Sequence, residues 1–543
     1  MWRFRFGKRF KKSRMKKINL SIILIMVVVF CVQSIRAQVV LDHNNVSATI
    51  SSSGTFFNNF NAGLAGYEIP KGSGFTSIFG AQFVFGAKDV NDSIYITSGG
   101  YPNYPSDIFS GPISTAYSDS AYINRWKDKV WKICKGDIDQ FRLWWLCNYG
   151  QLTSGCDTVT APNLEALNMI YDWPAHGDVT AGESYWLAPF FDNNSDGQYN
   201  PDEGDYPLIK GCCATYMIQN DAAGSHTYSN TQDSMGIEVH TMIYQYNTAD
   251  EINNATFVDV TVYNRGLVNY YLFKMGLLVD ADLGYYADDY FGCDSSKNTM
   301  YFYNADNNDD NKYGLNPPAL GIISLDQPME SFQNPGIVYG TPSERKQQYW
   351  NLFSGLRTDG TPYVHPNGYP TNYLFSGDPT VPTDWTAAVT GFPSGDCRGL
   401  MTSPSIYLAH GQSVSNSYVI VYERSGGNHR ENASALLNRV PFYLNAFQTN
   451  LEDQCQDAFL GIDEAFVEEN GFILFPNPAT TTFTISGISA SSFGEKATLK
   501  DLSGKIVMEF LLKETNQLID ISSLKSGVYF IEIGEKKEKI IIE

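Results

Sequence analysis

Four segments between residues 236 and 303 constrain the fold most: IEVHTMIYQYN, ATFVDVTVYNRG, YYLFKMGLLVDAD and NTMYFYN. Each alternates apolar and polar residues or runs apolar without a break. Alternation suits a strand with one face on a core and one in water, and an unbroken run suits a strand covered on both faces. Four such segments in succession, separated by turn residues, read as a sandwich of sheets. FTSIFGAQFVFGAKDV and DSIYITSGG add strands within 40–115, and SPSIYLAHGQSVSNSYVIVYERSGG adds two more. Residues 116–190 differ. GDIDQFRLWWLCNYG and PNLEALNMIYDWP space their apolar residues as short helices do and end at Gly or Pro. RENASALLNRVPFYLNAFQTNLEDQC reads as a helix bent or interrupted at Pro441. Residues 304–400, rich in Pro, Gly, Asn and Tyr, read as long loops laid over the sheet core.

The expected class is therefore mainly β. A large β-sandwich-like central region with a few helices covers 38–455, an acidic linker follows over 456–471, and a small Ig-like β-sandwich closes the chain over 472–543. In that last unit FILFPNPA, TFTISG, KATLKDLSG, KIVMEFLL, NQLIDISSL, GVYFIEIGE and KEKIIIE give six or seven short strands.

Charge divides the 543 residues unevenly. The whole carries −20, but residues 1–37 hold ten Lys/Arg and no acid, whereas 38–471 hold 20 basic against 49 acidic side chains, a net of −29. Such a surface repels phosphate backbones and attracts divalent cations, so no nucleic-acid partner is expected. MKKINLSIILIMVVVFCVQSIRAQ has the basic start, apolar run from Leu20 to Val32 and small residue before Gln38 of a cleaved signal peptide, residues 1–37, with Met15 a candidate start. The apolar run is too short to span a bilayer comfortably, and no transmembrane segment is expected in the mature protein. Eight cysteines follow Cys31: Cys134, Cys147, Cys156, Cys212, Cys213, Cys293, Cys397 and Cys455. An exported chain permits disulfides, but eight cysteines allow 105 pairings and the spacing selects none. Cystines or buried thiols are the expected state.

The C-terminal unit resembles the type A sorting domain of the type IX secretion system. The matching residues are Pro476, Asn477 and Pro478, then Asp501 and Gly504 in LKDLSGKIV, then Leu524, Gly527 and Tyr529 in IDISSLKSGVYFIEI. The resemblance implies passage through the inner membrane by the Sec machinery and through the outer membrane by the type IX translocon. It implies a secreted or surface protein, with lipopolysaccharide attachment or release after removal of the domain. YEIPKGSGFTSIF, WPAHG, LAPFFDNNSDGQYNPDEGDYP and LVDADLGYYADDYFGCD resemble central regions of other cargo of that system, which supports the boundaries and supplies no activity.

DNNSDGQYNPDEGDYP, residues 192–207, matches the EF-hand loop pattern. Asp192, Asn194 and Asp196 occupy positions 1, 3 and 5, Gly197 position 6 and Glu203 position 12, with Gln198 offering a backbone carbonyl. Calcium takes six to eight hard oxygens, and alternate side chains of a tight loop converge on one point. The flanks carry Pro201 and Pro207 and no amphipathic helices, so a structural Ca2+ is expected and a helix-pair switch is not. Asp205 could compete with Glu203. A second cluster, Asp280, Asp282, Asp288, Asp289 and Asp294, follows an apolar strand. It could hold calcium, form a glycosidase-type acid/base pair or be a polar turn. NADNNDDNKYG keeps the spacing at Asp306, Asn308 and Asp310 but lacks the closing glutamate. The 34 Tyr, 33 Phe and 9 Trp, six of the last at Trp126, Trp131, Trp144, Trp145, Trp173 and Trp186, are expected to fill core. A sugar-binding platform requires several Trp exposed in one groove. HExxH, GxSxG and phosphate-loop patterns are missing, and His176 near Ser184 reads as a loop histidine bonded to backbone. Asp-Ser/Thr-apolar triplets at Ser93, Ser120, Thr158 and Ser234 resemble a bacterial O-glycosylation sequon. The expected protein is a non-enzymatic, calcium-stabilised adhesion, matrix or glycan-binding protein. The alternative is an extracellular hydrolase of glycan or protein using the Asp280–Asp294 cluster.

Overall fold

The computed structural model describes residues 38–59, 62–100, 106–149, 152, 155–226, 234–310, 312–336, 338, 340–449, 451, 455, 472–475, 479–486, 488, 492–501, 505–514, 517–534 and 536–542. The expected signal peptide, the linker 456–471 and the sorting residues Pro476, Asn477, Pro478 and Gly504 lie outside them.

Ten of the described strands frame the two main sheets of the central region: β1 Gly80–Lys88, β2 Cys213–Asn220, β3 Ile237–Gln245, β4 Thr256–Asn264, β5 Tyr270–Ala281, β6 Asp289–Asp294, β7 Thr299–Asn304, β8 Ala319–Ser324, β9 Cys397–Thr402 and β10 Ser413–Glu423. The larger sheet runs β2-β3-β4-β10-β8-β7-β6, with short strands added beside β2, and the smaller is centred on β9-β5-β1. These strands pair antiparallel. The sheets share a core in which Val258, Val260 and Val262 of β4 meet Phe85, Phe273, Met275 and Leu277 of β1 and β5. The alternation legible in β4 follows from this, since Asp259, Thr261 and Tyr263 are only half-buried.

Helices clad the outer faces. α1 Lys135–Asn148, α2 Leu164–Tyr171 and α4 His429–Gln448 cover the larger sheet, and α3 Pro342–Phe353 covers the smaller. The unbroken apolar run of β5 is thereby explained: one face meets the larger sheet and the other meets α3. Gly86 and Gly276 make room for the Phe353 ring, which a Cβ at either position would approach to 2.8 Å or 3.1 Å. α4 continues through Pro441 rather than stopping there. Leu436, Leu437, Val440 and Tyr443 bury its inner face, and that packing outweighs the hydrogen bond proline cannot donate. Residues 304–400 also depart from expectation. They include β8, in the middle of the larger sheet, and α3, started by a capping box between Thr341 and Glu344.

Three disulfides form among the described residues: Cys134–Cys213, Cys147–Cys156 and Cys212–Cys455. The last spans 243 residues of sequence and ties the end of the central region to the start of β2. Chain entropy alone assigns such a closure about 5 kcal/mol. Cys293 and Cys397 are buried thiols, and burial pushes both well above the usual thiol range, which suits packing and not nucleophilic attack.

Among the described residues the C-terminal unit has seven strands. Ile473–Phe475, Thr482–Ser486 and Gln517–Asp520 form one sheet, and Ile506–Leu511, Lys496–Asp501, Gly527–Ile533 and Lys536–Ile542 form the other. Its core, including Phe483, Ile485, Leu499, Ile531 and Ile540, is drawn from this unit alone. Asp501 pairs across the sheet with Tyr529 and accepts the Lys505 amide at 3.1 Å. Tyr529 donates its hydroxyl to the Lys525 carbonyl at 2.6 Å, and Leu524 packs against the core.

One buried ionic network sets an acid limit on stability. Glu238 accepts Arg265 Nη2 at 2.9 Å, His240 Nε2 at 3.0 Å and the Ile113 amide at 2.8 Å. Burial alone would raise its carboxyl, but the His240 bond, the charges of His240 and Arg265 and the Ile113 amide hold it down at about 2, against an ordinary 4.5. A depressed acid stabilises the fold above its unfolded value and loses that contribution as pH falls towards the folded value. Thermal melts of the wild type are thus expected to lose about 3 kcal/mol between pH 4.5 and about 2 from this group. Glu238→Gln should be less stable at neutral pH and show a shallower acid fall.

Candidate functional site

Residues 192–205 form the loop of a tight hairpin, closed by a ladder between Phe190–Phe191 and Tyr206–Pro207. The Phe191 and Tyr206 rings stack at 4.6 Å across it. The flanks are strands, as the prolines imply, and Glu203 stands in a single 3-10 turn, Pro201–Glu203. Asp192 accepts the amides of Asp196 at 3.2 Å and Gly197 at 2.7 Å, and Asp196 accepts that of Gln198 at 2.8 Å. Gly197 has φ of +77°, the left-handed turn the pattern reserves for glycine. Asn194 Nδ2 lies between two carboxylates, 3.3 Å from Asp196 and 2.8 Å from Glu203. Asn194 thus links Asp196 to Glu203, whereas the carboxylates of Asp192, Asp196 and Glu203 do not all lie within 4.8 Å of one another. Asp205 is not a competitor for Glu203. It is fully buried and accepts the amides of Asn193 and Asn200, each at 2.8 Å, which ties the two limbs of the loop together. Burial pushes its carboxyl up to about 6 in spite of those two bonds.

An aromatic wall rests on this loop. His176 stacks on Tyr185 at 4.2 Å, Tyr185 meets Trp186 edge-on at 5.0 Å, and Trp186 stacks on Phe190 at 6.1 Å. His176 is held by backbone: Nε2 accepts the Tyr199 amide at 2.9 Å, and Nδ1 lies 3.2 Å from the Tyr185 carbonyl. Burial holds its imidazole below the usual range. Ser184 donates to the Trp186 carbonyl, so no Ser–His pair forms there. Tyr185 donates to the Gly197 carbonyl at 3.3 Å, which couples wall and loop. Trp126, Trp131, Trp145 and Trp173 are core residues, whereas Trp186 is 40% and Tyr185 37% exposed.

The second acidic cluster divides. The antiparallel register sets Asp280 opposite Arg398 and Ala281 opposite Cys397, which brings the next residues, Asp282 and Asp396, side by side. Oxygens of Asp280, Asp282 and Asp396 lie within 4.8 Å of one another. At that distance two carboxylates repel by about 3 kcal/mol for an effective dielectric of about 20. Burial, then the charges of Asp280 and Asp396, push Asp282 up to about 7. Asp289 is fully buried, and burial raises its carboxyl well above the usual range. Asp288 is also raised, by burial first. Asp294 does not join them. It stands at the far end of β6, where it caps the turn Ser295–Lys297 and pairs with Lys297 at 3.0 Å. In the loop 304–314, Asp306, Asn308 and Asp310 are exposed, and the buried acid is Asp309, which takes the amides of Tyr285 and Tyr313. Sequence reasoning missed Asp396. Its signal is the alternation Asp396-Cys397-Arg398, but its partners lie more than a hundred residues away. A further ligand-like set, His43 with Cys134 and Cys213, is a disulfide beside a histidine and offers no thiolate.

These features define a mainly β protein of two units, a helix-clad sandwich with an acidic hairpin loop and a separate seven-stranded C-terminal unit. Residues 473–543 match the family described as secretion system C-terminal sorting domain. That domain marks the chain as cargo of the type IX secretion system, exported to the outside of the cell. Among the described residues no helix is long and apolar enough to cross a membrane. No curated protein matches the chain significantly. A polysaccharide lyase aligns at 8% identity over 58% of this chain and 34% of its own, with a TM-score of 0.18. The chain thus spans about a third of that enzyme's length. An Escherichia coli K12 protein described as an aldose 1-epimerase aligns at 11% identity over 72% and 99% of the two chains, with a TM-score of 0.22. PorZ, a surface component of the type IX system of Porphyromonas gingivalis, aligns at 9% identity over 66% and 48%, with a TM-score of 0.12. These likenesses are too slight to carry an activity.

Proposed function

We propose that this cargo is a calcium-stabilised, non-enzymatic glycan-binding protein of the cell surface or its matrix, held there through lipopolysaccharide. The observation that carries the reading is the exposed Trp186–Tyr185 pair seated on the Asp192–Glu203 loop. A flat apolar ring edged by carboxylates and carbonyls matches a neutral sugar, which offers a C–H face for stacking and hydroxyls for hydrogen bonding. The several exposed Trp expected of a sugar-binding platform are not found here: Trp186 is 40% exposed, and a glycan would rest on the Trp186–Tyr185 pair. The −29 charge of residues 38–471 disfavours polyanionic glycans. Calcium bound by Asp192, Asn194, Asp196, Glu203 and the Gln198 carbonyl would fix the loop, and through Gly197 and Tyr199 the wall above it. The hydrolase reading is weaker. Asp294 stands apart from the other acids at the far end of β6, and Asp280 and Asp396 are both paired with Arg398.

Affinity electrophoresis of the chain from Gln38 in gels cast with mannan, xylan or β-glucan tests this. At least one neutral glycan should retard the protein, and Trp186→Ala should weaken that retardation at least tenfold, about 1.4 kcal/mol. Equal retardation of Trp186→Ala, or free migration of the wild type in all three gels, overturns it.

A further inference from the structure

The hairpin loop that supports the Trp186–Tyr185 pair also anchors a second set of exposed rings. Tyr149 caps the C-terminal end of α1 and stacks on Trp145 at 5.1 Å, yet it stays 56% exposed. Tyr171 ends α2, is 48% exposed, and donates its hydroxyl to the Asp202 carboxylate at 2.6 Å. Trp145 Nε1 donates to the Asp202 carbonyl at 2.9 Å. One loop residue thus holds Tyr171 directly and Tyr149 through Trp145. Tyr199 joins this pair to the Trp186 wall. Its amide donates to His176 Nε2 at 2.9 Å, its ring meets Phe190 edge-on at 5.2 Å, and its hydroxyl donates to the carbonyl of Ile170, the neighbour of Tyr171, at 2.6 Å. The backbone from Gly197, which accepts the Tyr185 hydroxyl, to Asp202 covers five residue steps and so spans at most about 18 Å. Exposed Asn148, Asp172 and Asp202 adjoin the two rings, so polar groups edge each apolar face. Rings already fixed by stacking or by a hydroxyl bond lose little freedom when a ligand settles on them.

We propose that Tyr149 and Tyr171 form a second sugar subsite, so that the protein grips a linear neutral polysaccharide at two places along its length. This rests on the reading of the Trp186–Tyr185 pair as a glycan platform. Each exposed ring takes the C–H face of a sugar, and the Asp202 carboxylate accepts a hydroxyl beside it. A single platform holds a short sugar as well as a long one. Two platforms on one loop favour a chain long enough to reach both, because the second contact is then intramolecular and adds affinity without a second association cost. The ligand class is therefore the interior of an extended chain, in preference to a free mono- or disaccharide.

The test uses the chain from Gln38 in gels cast with mannan, xylan or β-glucan, then calorimetry with the disaccharide and hexasaccharide of whichever glycan retards it most. The wild type should bind the hexasaccharide at least tenfold more tightly than the disaccharide. Tyr149→Ala combined with Tyr171→Ala should weaken retardation at least fivefold and bring the two oligosaccharide affinities within threefold of each other. Tyr149→Phe keeps the stacked ring and should bind as the wild type does. If the double variant melts early, Tyr149→Ala alone, at an exposed ring, carries the test and should lose at least fivefold in hexasaccharide affinity. A folded double variant, or Tyr149→Ala, that binds polymer and hexasaccharide like the wild type while Trp186→Ala weakens both overturns the second subsite and leaves the first standing. Free migration of the wild type in all three gels overturns both.

Discussion

Chelating calcium from the folded protein is expected to lower its melting temperature by several degrees and to open residues 192–207 to protease. Asp192, Asp196 and Glu203 bring three carboxylates to one loop, and the amides of Asp196, Gly197 and Gln198 neutralise only part of that charge. Asn194 Nδ2 now holds Asp196 and Glu203, and rotating that amide would present Oδ1 to an ion at the same point. Binding to the folded state alone adds about 2.7 kcal/mol when free calcium is a hundred times Kd. A chain of this size converts that into a few degrees. Glu203→Gln removes the closing ligand and should lower the calcium-loaded melting temperature by a similar amount. With the chelator present, wild type and Glu203→Gln should melt within a degree or two of each other. A wild type that melts identically with and without chelator would exclude a structural ion in the loop. The Trp186 wall is expected to respond as well, because Tyr185 and His176 bond to Gly197 and Tyr199 of the same loop.

Much of this architecture is written locally. β4 alternates because one face meets the core and the other meets water, and α1 and α2 carry helical spacing with a Gly or Pro stop. The seven C-terminal strands are separated by turn residues that any reader of the sequence can find. The features that escaped are those whose cause lies elsewhere in the chain. β8 is ALGIIS, six residues buried on both faces amid Pro, Gly and Asn, so it has neither alternation nor length to mark it. Only the pairing with β7 and β10 makes it a strand. α3 did carry a local signal, the Thr341–Glu344 capping box, inside a stretch whose composition argued for loops. The hairpin loop was legible because its donors are consecutive. The second acidic cluster was half legible, since Asp280 and Asp282 share a strand face by the period of two. Asp396 joins them by cross-strand register, and Asp294 leaves them because β6 carries it to the opposite end. Trp exposure was not legible at all. The same residue type builds the core at Trp126 and the surface at Trp186, and only the packing of α1, α2 and the hairpin decides between them.

Removing residues 473–543 is expected to leave a folded central region that no longer reaches the outside of the cell. The two outcomes separate because the cores separate. The C-terminal core is drawn from residues 472–542, while the central cores end at Cys455, clamped to Cys212 by a disulfide. Deletion therefore removes no side chain from the sandwich core, and the melting transition of the truncated chain should match that of the corresponding unit in the full protein. Export should behave differently. Protease shaving of intact cells should detect the full chain, while the truncated chain should be protected and fractionate with the periplasm, with surface material reduced at least a hundredfold. A truncated chain that still appears at the surface would overturn the sorting role of this domain. One that aggregates before reaching the periplasm would reveal a folding dependence between the units that their separate cores do not predict. Fusing residues 456–543 to a periplasmic reporter tests sufficiency. Residues 456–471, the expected linker, are included because the last disulfide closes at Cys455.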